Sequence, residues 1–371
     1  MKWTELDQPV SLDHLERMTD CFGLIQHANY SLPDFRTGYT TDDNARALVA
    51  VVKHFHLYGQ PRSLELAERY LSFLMYAQTS EGRFHNFVSY NRHPLDTVGS
   101  EDAFGRSLWA LAHVLAHPPR PGLVGPAERM LHESLAWMEK LDHPRSKAYC
   151  LLAMYWWAQS ECRDVPRAHL LARPLADYLV RRYQEHSRPG WDWILPEFTY
   201  ANAILPKALF RAYQLLGEPR YLEVAEHAMA FLAGVTRVSD TLSVVGNQEW
   251  IQPDADPAPA VYDQQPIEAG TMVEAALAGY EATGKTQYLR WAWRSLEWFY
   301  GRNVEGRSLY DPETGGCFDA LMRGAVNQNR GAESTVSLLL SRLAMLEAKR
   351  SLSDQVLAEA MADPTSALPR P

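Results

Sequence analysis

The sequence predicts an all-α fold, an (α/α)6 barrel whose six helical hairpins form an inner and an outer ring. Three observations lead there: a recurring hairpin string, twelve segments with helical periodicity, and connections that alternate between short and long. The string GQPRSLELAERYLSFL begins at Gly59, GEPRYLEVAEHAMAFL at Gly217 and GKTQYLRWAWRSLEWF at Gly284. Each copy runs Gly, three residues, Ser or Tyr, Leu, and then Ala three positions later. GPAERMLHESLAWM, from Gly125, is a weaker copy. Glycine suits a helix C-cap, and apolar positions at i, i+3, i+4 and i+7 restart a helix after it. Each copy therefore reads as the outer half of a hairpin whose inner half is the apolar helix before it.

In chain order, periodicity places helices near 12–28, 43–58, 61–78, 102–116, 125–141 and 145–160. The remaining six fall near 167–186, 200–216, 219–234, 268–283, 285–301 and 331–349. Turns such as YGQP, LGEP and TGKT are short. Those before the second, fourth, eighth, tenth and twelfth helices are long and rich in Gly, Pro, Asn and aromatic residues. Long loops gathered at one end of a helical array are usually functional. An open helical solenoid fits the repeat length too, but the irregular loops on one face favour the closed ring. Residues 1–350 read as one barrel domain, and 351–371, ending TSALPRP, as a disordered tail.

Composition narrows the partners. Hydrophobic residues make up 46% of 371, ample for a core, while eleven Trp and eighteen Tyr exceed what a core requires. Such rings often line sugar sites. A net charge of −9 with scattered Lys and Arg argues against a nucleic-acid partner. The longest apolar stretch, Tyr149 to Ala158, is too short to cross a bilayer. The opening MKWTELDQPV has no apolar leader segment, and the four cysteines form no CxxC pair. Both point to reduced thiols and a cytoplasmic location.

Acidic residues open the apolar helices just after the long loops. Asp42 and Asp43 begin one, with Arg46 a turn on and Tyr39 in the loop before. Glu101 and Asp102 repeat the design with Arg106, after a loop carrying His85. Glu268 follows a loop holding Trp250, and Glu333 follows Asn327 and Asn329. First-turn acids also stabilise a helix through its dipole by about 0.3–1 kcal/mol with no function at all. What favours chemistry is recurrence: carboxylates converging on one mouth can supply acid–base catalysis on a polyol. In RPGWDWILPEFTYANA, Trp191 and Trp193 flank an acid near Glu197, so at least one is expected to face the cleft as a sugar-stacking platform. Asn202 takes the place that acids hold elsewhere and could bond hydroxyls. No GxSxG, P-loop, GxGxxG or HExxH motif occurs. No cofactor is expected, and nothing demands a metal.

The hairpin pattern resembles the six-hairpin glycosidase superfamily. GYTTDDNARAL, from Gly38, and NQNRGAEST, from Asn327, are similar to strings in bacterial proteins of this type associated with glycosyltransferases. The resemblance implies a sugar-handling barrel with its site among the inner-helix N-termini. The expected function is a glycoside hydrolase on a mono- or oligosaccharide, using Asp43, Glu101, Asp102, Glu268 and Glu333. A sugar epimerase or isomerase, and a non-catalytic glycan-binding protein, are the alternatives. An epimerase of the resembling class relies on paired histidines in the cleft, whereas these openings carry acids.

Overall fold

Three helices end on the glycines that the repeat singled out. Gly59, Gly217 and Gly284 adopt φ of 63°, 72° and 71°, and each N–H closes the last turn on the carbonyl four residues back. That left-handed cap reverses the chain, and the next helix starts two residues later. The computed structural model describes residues 3–238, 241–247, 251–252 and 261–361. Its α-helices are α1 (Asp13–Arg17), α2 (Thr41–Tyr58), α3 (Pro61–Ala77), α4 (Glu101–Ala116), α5 (Val124–Ser134), α6 (Pro144–Gln159), α7 (Val165–His186), α8 (Ile204–Leu216), α9 (Pro219–Val235), α10 (Pro266–Thr283), α11 (Thr286–Phe299), α12 (Ala332–Ser351) and α13 (Asp354–Met361). No helix among the described residues is long and apolar enough to cross a membrane.

The even-numbered helices form the inner ring. Each packs on the next from α2 to α12, and α12 returns to α2, so the ring closes. Burial explains the sorting. Helices α2, α6 and α10 are buried around most of their circumference, whereas α3 and α7 bury a single stripe. A helix apolar on all sides has to sit inside. The barrel is the closed ring that the repeat predicts, not the open solenoid.

Differences from the expected elements have local causes. The first helix ends at Arg17 rather than near residue 28. The Asp20 carboxylate accepts from the N–H groups of Phe22 and Gly23 at 2.7 and 3.1 Å, which turns the chain out of helix. The Gly125 copy is no C-cap: it sits in the first turn of α5, beyond the short 3-10 turn Pro121–Leu123. The segment expected as a disordered tail carries α13, which packs on α11 with Ala360 buried. The N-terminal segment packs against α12, where Arg342 donates to the Gln8 carbonyl and Lys349 pairs with Asp7.

The long loops lie before inner helices and, among the described residues, carry three two-stranded antiparallel sheets: Ala28–Asn29 with Leu32–Pro33, Leu321–Met322 with Ala325–Val326, and Tyr39–Thr40 with Phe87–Val88, which joins two different loops. They brace each other at the mouth. Asn329 Oδ1 accepts from the Tyr30 N–H at 2.9 Å, and the Thr41 N–H donates to the Asn86 carbonyl at 2.8 Å.

Helices α4 and α6 come together at Gly105. A Cβ there would lie 2.8 Å from the Ser146 carbonyl oxygen and 2.9 Å from Tyr149 Cβ. Gly105→Ala is therefore expected to destabilise by about 1–3 kcal/mol through overpacking, offset in part by alanine's better helix propensity. Urea unfolding checks this, and unchanged or raised stability would contradict the close approach.

Candidate active site

Every inner helix points its N-terminus at the same end, so first-turn residues meet in a ring. The position within that turn decides the environment. Asp42, Asp102, Arg145 and Glu333 stand second in α2, α4, α6 and α12, while Asp43 and Glu268 stand third in α2 and α10. Caps fix the starts. Thr40 Oγ1 accepts from the Asp43 N–H at 3.2 Å and donates to its carboxylate at 2.6 Å, and Ser100 Oγ accepts from the Ala103 N–H at 3.2 Å.

Arg46 gathers three carboxylates from two helices. Its Nη2 lies 2.7 Å from Asp43 Oδ1 and 3.1 Å from Glu333 Oε2, and its Nε lies 3.0 Å from Asp42 Oδ1. The other Asp42 oxygen pairs with Arg106, whose guanidinium stands 5.1 Å from the centre of the Tyr149 ring. Arg46 and Arg106 are 3% and 1% exposed.

From α4 the network continues round the mouth. Asp102 accepts from the Tyr200 hydroxyl, from Ser146 Oγ at 2.8 Å and from Arg145 Nε at 3.3 Å. His143 Nδ1 lies 3.6 Å from the same carboxylate. Arg145 Nη1 donates to Thr199 Oγ1 at 2.6 Å, and the Thr199 N–H donates to Asn202 Oδ1 at 3.0 Å. Asn202 Nδ2 then donates to Glu268 Oε2 at 3.1 Å, and the Ala201 N–H to Glu268 Oε1. A pocket of about 710 Å³ opens beside this half, lined by Glu101, Asp102, His143, Arg145, Tyr178 and Tyr200 among others.

The environments split the carboxyl groups. Burial pushes Asp43 up to about 7 against the pull of Arg46, with the neighbouring Asp42 and Glu333 charges adding to the rise. Burial likewise lifts Glu268 to about 7 against the hydrogen bonds from Asn202 and Ala201. Burial also opposes ionisation of Asp102, but Arg106 and Arg145, with Tyr200 and Ser146, hold it at about 2. Asp42 is kept below the usual carboxylate range, against its burial, by Arg106 and Arg46. Two carboxyls that keep their proton near neutrality thus share a mouth with two that stay charged.

Glu268 gives a pH prediction. The folded chain holds this proton up to about pH 7, whereas an unfolded glutamate loses it near 4.3. Between those values the native state binds more protons, so this contribution to stability falls as pH rises. Melting temperatures of wild type and Glu268→Gln from pH 4.5 to 8 should therefore shift in the variant's favour with rising pH. Parallel curves would show that Glu268 ionises normally.

The structure thus joins Asp42, Asp43, Arg46, Asp102, Arg106, Asn202, Glu268 and Glu333 in one network. The other described candidates stand apart from it. Glu101 accepts from the Asp142 and His143 N–H groups at 2.8–3.1 Å, so it caps the approach to α6. Tyr39 is 1% exposed and donates to Asp20 at 2.6 Å, packed against Phe22. His85 is held through Nδ1 by the Asp96 carbonyl at 2.8 Å. Asn327 and Asn329 accept from backbone N–H groups and shape their loop. Glu197 accepts from Gln252 at 3.2 Å, and Trp250 lies outside the described residues.

The stacking platform needs correction. Trp191 and Trp193 are 4% and 0% exposed. Trp191 packs edge-on to Phe198 and Phe231 and donates to the Leu195 carbonyl at 2.8 Å, while Trp193 lies 4.5 Å from Phe198. Their apolar faces find partners within their own loop and on α9, so neither ring faces the cleft. Exposed rings on the mouth loops include Tyr30, Phe35, Phe87 and Tyr90, and the Phe35 and Tyr90 centroids stand 4.8 Å apart.

Sequence reasoning missed Arg145, Ser146, His143, Thr199 and Tyr200. A usable signal was there: PRSKAYC opens an inner helix, and the repeat register puts Arg145 where Asp42 and Asp102 stand. Looking for acids hid it. Among the described residues, no three His, Cys, Asp or Glu side chains are arranged to hold a metal ion.

No family model matches the chain, and no curated protein matches it in sequence. Solved structures do. A D-mannose isomerase is 14% identical with a TM-score of 0.71, over 95% of this chain and 98% of the other. The cellobiose 2-epimerase of Spirochaeta thermophila is 15% identical at 0.70, over 94% and 96%. An α-mannanase of Bacteroides thetaiotaomicron is 11% identical at 0.66, over 95% and 97%. At such identities the likeness is one of fold, and it agrees with the closed ring of inner helices: this chain is an (α/α)6 barrel.

Proposed function

We propose that the protein is a carbohydrate-active enzyme that hydrolyses a glycosidic bond, with Asp43 as general acid and Glu333 as its partner carboxylate. The observation that carries this reading is the sharing of Arg46 Nη2 by both groups, at 2.7 and 3.1 Å, in unlike surroundings. Asp43 is buried and keeps its proton to about pH 7, while the Glu333 side chain is 43% exposed. Two oxygens on one nitrogen lie within about 6 Å of each other, nearer the roughly 5–5.5 Å of retaining glycosidases than the roughly 6.5–9.5 Å of inverting ones. Asp43 would give its proton to the leaving oxygen. Glu333 would attack the anomeric carbon, and water would then release the sugar.

Arg46 Nη1 and Arg106 Nη2 are buried donors without a protein partner among the described residues, suited to sugar hydroxyls. The substrate class draws support from neighbours whose names give mannose, cellobiose and mannan as their sugars. The resemblance of the DDNARAL and GAEST strings extends the proposal to work beside a glycosyltransferase. Four free cysteines, with Cys21 exposed, suit a cytoplasmic setting.

One observation favours an epimerase instead: His143 stands 3.6 Å from Asp102 beside an open pocket, where it could act as a base. Proton NMR on cellobiose and mannobiose in D2O separates the two. Hydrolysis yields new reducing ends, first as the retained anomer. Deuterium appearing at C2 with no bond cleaved would overturn the hydrolase reading.

A further inference from the structure

At the opposite end of the barrel, the inner helices enclose a second cavity of about 260 Å³. That is just below the roughly 300–1,000 Å³ of drug-sized pockets, so it suits a smaller ligand. Its wall is charged but balanced. Lys53 Nζ lies 2.5 Å from Glu347 Oε2, Lys207 Nζ lies 3.1 Å from Glu274 Oε2, and Arg211 pairs with Glu281. Lys207 and Arg211 are 5% and 7% exposed, so these are not ordinary surface pairs.

His113 also lines this cavity. It is 2% exposed, and neither ring nitrogen has a partner among the described residues. Burial, aided by the nearby Lys53, holds its pKa well below the usual histidine value, so the ring is neutral. The buried Trp109 indole N–H is likewise unpartnered. A buried polar group normally has a hydrogen-bond partner, and leaving one unmade is costly. Trp156 completes the wall, edge-on to His113 with centroids 5.2 Å apart.

We propose that this cavity is a binding site for a small neutral polyhydroxyl molecule of monosaccharide size. An anion entering it would meet Glu274, Glu281 and Glu347, and a cation would meet Lys53, Lys207 and Arg211. An apolar guest would leave His113 and the Trp109 N–H without partners. A hydroxyl both donates and accepts, as this lining requires: each ammonium has three protons, and each carboxylate has a second oxygen. The tryptophans add apolar faces for C–H groups. Trp109 and Glu274 also wall a cavity of about 20 Å³ beneath Arg46, which places the site on the barrel axis but at the far end from the mouth. The inference does not depend on the chemistry proposed for the mouth.

The test follows the Trp109 and Trp156 indole N–H signals by NMR, assigned with Trp109→Phe and Trp156→Phe, during titration with D-glucose, myo-inositol and sodium phosphate. A saturable shift is expected with at least one polyol and none with phosphate. Binding should weaken at least tenfold in Ala348→Trp, which fills the cavity. Should that variant fail to fold, Lys53→Met with Glu347→Leu removes one pair and should weaken binding to the same degree. No saturable shift with either polyol, a stronger response to phosphate, or wild-type affinity in the cavity variants would overturn the proposal.

Discussion

Asp43→Asn is expected to lower turnover of a cleaved glycoside by about 10²–10⁴-fold, the usual worth of positioned proton transfer, and Glu333→Gln, which removes the nucleophile, by at least as much. Both substitutions keep the shape of the side chain. In Asp43→Asn the amide oxygen can accept from Arg46 while the amide N–H donates to Thr40 Oγ1, which still accepts from the residue-43 backbone N–H, so the α2 cap should survive and the melting temperature should change little. The wild-type rate should fall as pH rises above about 7, because Asp43 then loses the proton it must donate. Steady-state kinetics with thermal unfolding of each variant decides the matter. Full activity in Asp43→Asn would remove it from the mechanism. If Glu268→Gln were the inactive variant instead, the second carboxyl that stays protonated near neutrality would be the acid. Inactivity together with a collapsed melting temperature would mark Asp43 as a capping residue.

The second large effect is on stability. Trp193→Ala is expected to destabilise by about 3–5 kcal/mol, the cost of truncating a large buried aromatic. The side chain is fully buried and packed on Phe198, and it helps join the 191–198 loop to α9. Trp191→Ala should cost a similar amount, since it also strands the Leu195 carbonyl. Neither ring faces the mouth, so affinity of the folded fraction for oligosaccharide should not change. Denaturant unfolding alongside calorimetric titration checks both points. Lost affinity with intact stability would restore the stacking platform.

These two tests sit on either side of what local sequence can carry. Gly59, Gly217 and Gly284 announce their turns because a left-handed cap is a property of a few adjacent residues. Inner and outer helices separate because apolar positions either fill the circumference or form a stripe. The meeting of Asp42, Asp43, Asp102, Glu268 and Glu333 at one end follows from that register, since parallel inner helices must bring their first turns together. So the ring, its sense and the acidic mouth were determined by the sequence alone.

What each side chain does there was decided by tertiary structure. Asp42 and Asp43 are neighbours in sequence, yet one is held ionised by Arg106 from another helix while the other is buried and keeps its proton. Trp191 and Trp193 occupy a loop that composition marks as exposed, but Phe198 and Phe231 cover them. Glu101 looks like Asp102 in the string SEDAFGR, yet it caps the neighbouring helix while Asp102 meets Arg145, Ser146 and Tyr200. The capping and ion pairing of these acids depend on groups 42 to 287 positions away, and periodicity within one helix carries no record of them.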